Sequence, residues 1–229
     1  MARIKPYFEK KFLVPTARVH ELKKFLSSFT VFDSNGCAGK YEVLTLYFDS
    51  ADYKCFYDKL NGEYSRFKLR LRQYRNLEKQ SWHDPHFELK MKTGDLTSKR
   101  RESAGSVDQD FFSENSHFKY IFDSQTAGFK PVAALYYQRH AWHFPQITGM
   151  RITFDSNIAA ISAPMFQAAE KLNFEELARR QNWPMILEIK SYTAIPEFLL
   201  HELNRIEAEL CSFSKYANGI LKLRLVNGL

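Results

Sequence analysis

Cysteine is scarce in these 229 residues: Cys37, Cys55 and Cys211 are odd in number, far apart and never paired as CxxC. That argues against a disulfide framework or a thiolate zinc site and fits reduced thiols in a cytosolic chain. No apolar run approaches the roughly 18 residues of a membrane span. The opening MARIKPYFEKKF lacks the apolar stretch of a signal peptide. A soluble, cytoplasmic protein is expected. Repeats, low-complexity tracts and linkers are also missing, so residues 1–229 read as one domain. Acidic residues are thin in one place above all. From Arg66 to Arg101 only four Asp or Glu face eleven Lys or Arg, an excess equal to the chain's whole net charge of +7.

What is present there is ordered. In YSRFKLRLRQY (64–74), Arg66, Lys68, Arg70 and Arg72 alternate with Phe67, Leu69 and Leu71. A strand sends alternate side chains to opposite faces, so one face is apolar and the other holds four cations in a row. In FELKMK, Glu88, Lys90 and Lys92 alternate with Phe87, Leu89 and Met91. Cations two apart lie roughly 7 Å from each other, and at an effective dielectric near 20 each pair costs about 2 kcal/mol. A charge run is usually a solvated face, but strict alternation with apolar partners favours a polyanion that relieves the repulsion. Removing Arg70 or Arg72 should then slightly raise stability.

Around these strands, the pattern predicts a strand ending at Lys11–Val14 and a helix from Thr16 as N-cap to about Phe29. Further strands are expected at 41–49, 134–144, 149–155 and 185–192, with 76–85 joining the two basic strands as an antiparallel pair. Helices are expected at 52–60, 108–116, 164–181, from Pro196 to about Leu210, and from Ser214 onward. Twenty Phe and twelve Tyr can fill a substantial core. Seven or eight strands with helices at the ends and in connections give an α+β class, an antiparallel sheet curled or closed into a barrel. If the polar faces point inward, the lumen holds about ten cations and a few carboxylates. Phosphate is the natural occupant, because guanidinium grips it through paired hydrogen bonds. The carboxylates would suit Mg²⁺ or Mn²⁺. Lys92, Arg101 and Lys190, on these polar faces, are expected to add substrate contacts. Asp155 reads more simply as a turn residue. HDPH (His83, His86) and HAWH (His140, His143) show no third ligand and read as surface or packed histidines, and the aromatics read as core, not as a base-stacking platform.

EKKFLV, LYFDS, KLRLRQY, FELKMKT, SKRR, YQRHA, RITFD, ILEIK and FSKYANG occur in that order along nearly the whole chain. In this the chain resembles the VTC domain, the polyphosphate polymerase module of the vacuolar transporter chaperone complex, within the CYTH or triphosphate tunnel metalloenzyme superfamily. The resemblance implies an eight-stranded antiparallel tunnel that binds polyphosphate and nucleotide phosphates. It implies phosphate contacts from Lys11, Arg70, Arg72, Lys90, Lys99, Tyr137, Arg139, Arg151, Ser214 and Lys215, and a metal ligand in Glu188. Two departures stand out. Tyr7, Glu9 and Lys11 occupy the places of the superfamily's ExExK, so its first carboxylate is missing, as in the VTC branch. Ser212 stands where some eukaryotic members carry another lysine, which should leave one side of the tunnel less basic. The implied activity is transfer of the γ-phosphoryl of ATP to a growing polyphosphate chain, with Mn²⁺ or Mg²⁺ and no nucleic acid. The domain would act alone or with a membrane-protein partner that exports the product. A triphosphatase on the same tunnel and a non-catalytic polyphosphate or nucleotide sensor are the alternatives.

Overall fold

The structure, a computed structural model, describes residues 5–104, 128–166 and 168–226. Its centre is a closed barrel of eight antiparallel strands: β1 (Tyr7–Leu13), β3 (Lys40–Asp49), β4 (Ser65–Asn76), β6 (His86–Thr93), β7 (Leu96–Ser103), β8 (Lys130–His143), β9 (Arg151–Ser162) and β10 (Ile186–Ser191). The order around the wall is β1-β10-β9-β8-β3-β4-β6-β7, closed where Tyr7 and Phe8 of β1 pair with Thr97 and Leu96 of β7. Three short strands attach to it: β2 (Val31–Phe32) on β8, β5 (Ser81–Trp82) on β4 and β11 (Glu209–Cys211) on β1. No helix among the described residues is long and apolar enough to cross a membrane.

Alternation sorts the side chains. Phe12, Ile152, Phe154, Leu187 and Ile189 pack with Leu22 and Leu26 of α1 (Val19–Ser27) and with Leu199 and Leu203 of α4 (Glu197–Arg205). Leu46, Leu69, Leu71 and Phe87 pack with Phe56 of α2 (Lys54–Leu60) and Ile220 of α5 (Lys215–Lys222). A fully buried Leu or Phe contributes about 1.5–3 kcal/mol, so these faces pin the register. The intervening residues, Glu9, Lys11, Arg70, Lys90, Arg139, Glu188 and Lys190 among them, line the interior. The two basic strands pair as expected, setting Arg66 opposite Lys92, Lys68 opposite Lys90 and Arg70 opposite Glu88.

Four expectations are corrected. Pro15, not Thr16, precedes a 3-10 turn at Thr16–Arg18 with no side-chain cap, and Phe29 lies past the end of α1. Residues 164–181 form two 3-10 turns and the separate helix α3 (Phe174–Gln181). The break comes at extended Leu172, after which Asn173 caps α3 by accepting from the Glu176 N–H at 3.1 Å. The helix from Pro196 ends at Arg205, because Glu207 turns to φ +58° and Glu209–Cys211 pairs with β1 instead, leaving Leu210 exposed. Asp155 is not a turn residue; it is fully buried within β9, which runs on to Ser162 through a bulge at its pairing with β8. The helix expected at 108–116 lies outside the described residues.

Candidate functional site

A cavity of about 430 Å³ opens inside the barrel, lined by twelve Lys or Arg and only three Asp or Glu. Of the residues expected to act, Lys11, Arg70, Arg72, Lys90, Lys92, Tyr137, Arg139, Glu188, Lys190, Ser214 and Lys215 all reach its wall. Lys99, Arg101 and Arg151 do not line it. Lys99 and Arg101 reach the buried Glu88 carboxylate from β7. Arg151 is held by Asp33 at 2.7 Å and donates to the Tyr41 hydroxyl at 2.5 Å.

Four carboxylates organise the cations. Glu88 accepts from Arg70 at 2.8 and 2.6 Å and from Arg101 at 3.0 and 2.6 Å, with Lys99 at 3.0 Å and Arg72 at 3.5 Å. Burial would raise its carboxyl, but Arg70, Arg72, His86 and Lys99 bring it well below the ordinary value. The repulsion along β4 is therefore met partly within the protein, and losing Arg70 or Arg72 would not raise stability as the sequence suggested, because it would break pairs with a buried charge. Asp155 accepts from Arg139 at 2.6 and 2.8 Å and from Lys215 at 2.5 Å. Glu9 accepts from Lys90 at 2.6 and 2.8 Å. Glu188 lies 3.0 Å from Lys190, and Lys11 sits between the two glutamates, 3.6 Å from Glu9 and 3.9 Å from Glu188. Burial and mutual repulsion push the Glu9 carboxyl up, yet Lys90, Lys11 and Lys190 outweigh them and leave it at about 2. Burial would raise the Glu188 carboxyl too, but Lys190, Lys11 and Lys90 hold it well below the ordinary value, so both glutamates are anions at neutral pH.

The last helix closes the cavity at one side. Ser214 caps α5 by accepting from the Ala217 N–H at 3.2 Å, and Lys68 Nζ donates to the same hydroxyl at 2.7 Å. Lys11 Nζ donates to the Phe213 carbonyl at 2.8 Å, and the Tyr216 hydroxyl donates to Asp49. The N-terminal turn of α5 faces the cavity through Ser214 and Lys215, where helix N–H groups favour an anion.

Sequence reasoning had not assigned a role to Glu9, Glu88, Asp155, Lys59 or Lys68. Alternation puts Lys68 on the face of Arg70 and Glu88 on that of Lys90, but their partners in the closed barrel are what give them roles. Lys59 carried no such signal. It comes from α2 and donates to Ser212 at 3.2 Å, so the side of the tunnel expected to be less basic gains a lysine from elsewhere in the chain. Of the four histidines, His86 lies 3.4 Å from Glu88 and His143 lies 2.9 Å from Asp33; among the described residues no three His, Cys, Asp or Glu stand together as a metal site.

Burial of cations has a measurable consequence even where a carboxylate is near. Burial lowers the Lys90 ammonium to about 8, despite its Glu9 partner, and that of Lys99 to about 7, despite Glu88. In the unfolded chain both stay protonated to about 10.4. Above pH 7 the unfolded state therefore holds more protons, so stability rises with pH. The ligand-free protein should melt at a higher temperature at pH ~9 than at pH ~7, below the range where tyrosines ionise. Saturating tripolyphosphate should flatten that rise by holding both lysines charged. A ligand-free profile that is flat or falls over this window would refute the burial of these two charges.

The profile of the VTC domain family matches residues 6–224. Among curated proteins no sequence matches. Among solved structures, a protein from Pyrococcus horikoshii OT3 is similar over 96% of this chain and 99% of its own, with 16% identity and a TM-score of 0.53. The capping enzyme triphosphatase of Mimivirus is similar over 89% of each chain, with 11% identity and a TM-score of 0.44. The first of these concerns the fold alone. With a family profile matched over nearly its full length, on a closed eight-stranded barrel with a cationic interior, the chain belongs to the VTC domain family.

Proposed function

We propose that the cavity binds inorganic polyphosphate and the phosphates of ATP, and that the chain is a polyphosphate polymerase. The observation that carries this reading is the excess of nine cations over carboxylates around one cavity. A terminal oxygen of the polyphosphate chain attacks the γ-phosphorus of ATP. A new P–O–P bond forms, the bond between the γ-phosphorus and the β,γ-bridging oxygen breaks, and ADP leaves with the electron pair. The attacking oxygen is already ionised at neutral pH, so the reaction needs no protein nucleophile or general base. The protein supplies position and charge, as in other phosphoryl transfers.

Arg70, Arg72 and Arg139 offer planar donors that fix phosphates by paired hydrogen bonds. Lys11, Lys90 and Lys215 offset charge on the transferring group, and Tyr137 and Ser214 border the same space. Lys99, Arg101 and Arg151 act from behind that wall, the first two by sharing Glu88 with Arg70. A divalent ion fits the donors present. Glu9 and Glu188 are ionised on either side of Lys11, each also paired with a second lysine, Lys90 and Lys190, and Mg²⁺ or Mn²⁺ needs only one or two carboxylates when phosphate oxygens complete its shell. When bound, such an ion would neutralise charge on the β- and γ-phosphates. A triphosphatase built on several carboxylates finds less support, since no three acidic, His or Cys ligands cluster among the described residues. A sensor without turnover remains the second reading, favoured by the hold that Lys190 and Lys11 have on Glu188. Incubation with ATP and Mn²⁺, followed by a polyphosphate-resolving gel and an ADP assay, separates the three. Chain growth with ADP is the expected result. Free phosphate without chain growth means a triphosphatase, and binding without ADP means a sensor.

A further inference from the structure

The cations of the cavity divide into two sets. Lys10, Lys11, Arg70, Arg72, Lys90, Arg139, Lys190 and Lys215 each have a carboxylate within 4.0 Å. Lys59, Arg66, Lys68 and Lys92 line the same cavity, and among the described residues none of them has such a partner. Asp95, which acts weakly on Lys92, has its ion pair with Lys10 at 4.0 Å. Lys59 and Lys68 end on the neutral hydroxyls of Ser212 and Ser214, and Arg66 donates to the Glu63 carbonyl. All four are half-buried, so water screens them only in part. They also feel one another. Burial, then Arg66, Lys11 and Lys92, lower the Lys59 ammonium; burial and Arg66 lower that of Lys92; burial, Lys11, Lys90 and Lys59 lower that of Lys68.

Unpaired, half-buried like charges weaken the fold unless an anion joins them. Their placement also says what shape of anion. Arg72, Arg70, Lys68 and Arg66 follow one another on one face of β4, with Lys90 and Lys92 opposite the last two. At 3.3 Å per residue that row runs about 20 Å, a track for a linear polyanion longer than a triphosphate. We propose that Lys59, Arg66, Lys68 and Lys92 form a second phosphate subsite, which takes the part of a long polyphosphate chain lying beyond the phosphates held by the carboxylate-paired cations. This rests on the reading of the cavity as a phosphate site. The subsite gives the protein a preference for long chains over short ones, set by residues outside the reacting centre.

The test is titration calorimetry of the parent and of Lys59→Ala/Arg66→Ala with tripolyphosphate, long-chain polyphosphate and oligothymidylate, with melting temperature as a check on folding. The parent should prefer the long chain over tripolyphosphate. The double variant should lose about tenfold or more of that preference, the worth of one charge-assisted contact, while its tripolyphosphate affinity stays within about threefold because the paired cations are intact. Its melting temperature should hold or rise, since like charges have been removed. An unchanged preference in the variant overturns the subsite, and so does an equal loss for tripolyphosphate, which would make the two sets one site. An equal loss for oligothymidylate overturns it as well, by reducing the four residues to a general polyanion patch. Failure of the parent to bind either phosphate chain is a different result, which ends the phosphate-site reading itself.

Discussion

Replacing Glu188 by Gln should cut polymerisation by about a hundredfold or more, the scale of the several kcal/mol a metal ion contributes to transition-state charge. The substitution keeps the shape of the side chain and removes the charge a divalent ion requires. Metal-free tripolyphosphate binding should persist or tighten, because a cavity with three carboxylates against twelve cations loses one of the three. The competing role is structural. Glu188 lies 3.0 Å from Lys190 and 3.9 Å from Lys11, and breaking such a buried pair would lower stability and affinity together. Turnover, metal-free affinity and melting temperature, measured on this one variant, separate the two roles. Near-parental turnover in the presence of Mn²⁺ would remove Glu188 from the reaction.

Glu88→Gln should have the largest effect on folding. Its carboxylate is fully buried and meets Arg70, Arg72, Lys99 and Arg101 within 3.5 Å. Neutralising it leaves four cations facing one another, and breaking a buried pair costs about 3–5 kcal/mol. In a chain of this size that lowers the melting temperature by about 10 °C or more. Tripolyphosphate or sulfate should restore part of the loss by returning negative charge to the cluster. The parent's pH profile carries the same signature with a definite sign. Because the Glu88 carboxyl is held well below its unfolded value of 4.5, its contribution is complete above that value and is lost as pH falls toward the folded one. A variant that melts within about 2 °C of the parent would show that the four cations do not depend on Glu88.

Glu88 also marks how far the sequence could be read. Its phase on the strand was plain, between Phe87 and Leu89 and in step with Lys90 and Lys92. What parity could not tell was that Arg70 would stand directly across from it on β4 and Arg101 on β7. The inward row was therefore read as repulsion alone. Asp155 was misread for a related reason. Before Ser156-Asn157 it looked like a turn, and only the continuation of β9 through a bulge, with Arg139 paired opposite, puts it inside the wall. The helices misjudged at 164–181 and near Leu210 failed where tertiary pairing overrode local periodicity: β11 takes residues 209–211 because β1 offers its edge to them.

The sequence by itself determined most of the strands and which side chains share a face, because period-2 alternation is a local property that survives whatever the strands pair with; that the charged faces turn inward followed only from closure of the barrel. Motif order carried the resemblance to the family. The tertiary structure alone decided which cations are neutralised and which are not. Lys59 reaches the cavity from α2, Lys215 reaches Asp155 from sixty residues away, and Lys68 is left with a hydroxyl. Charge balance at a point depends on distances of a few ångströms between residues far apart in the chain, and only the closed barrel sets those distances.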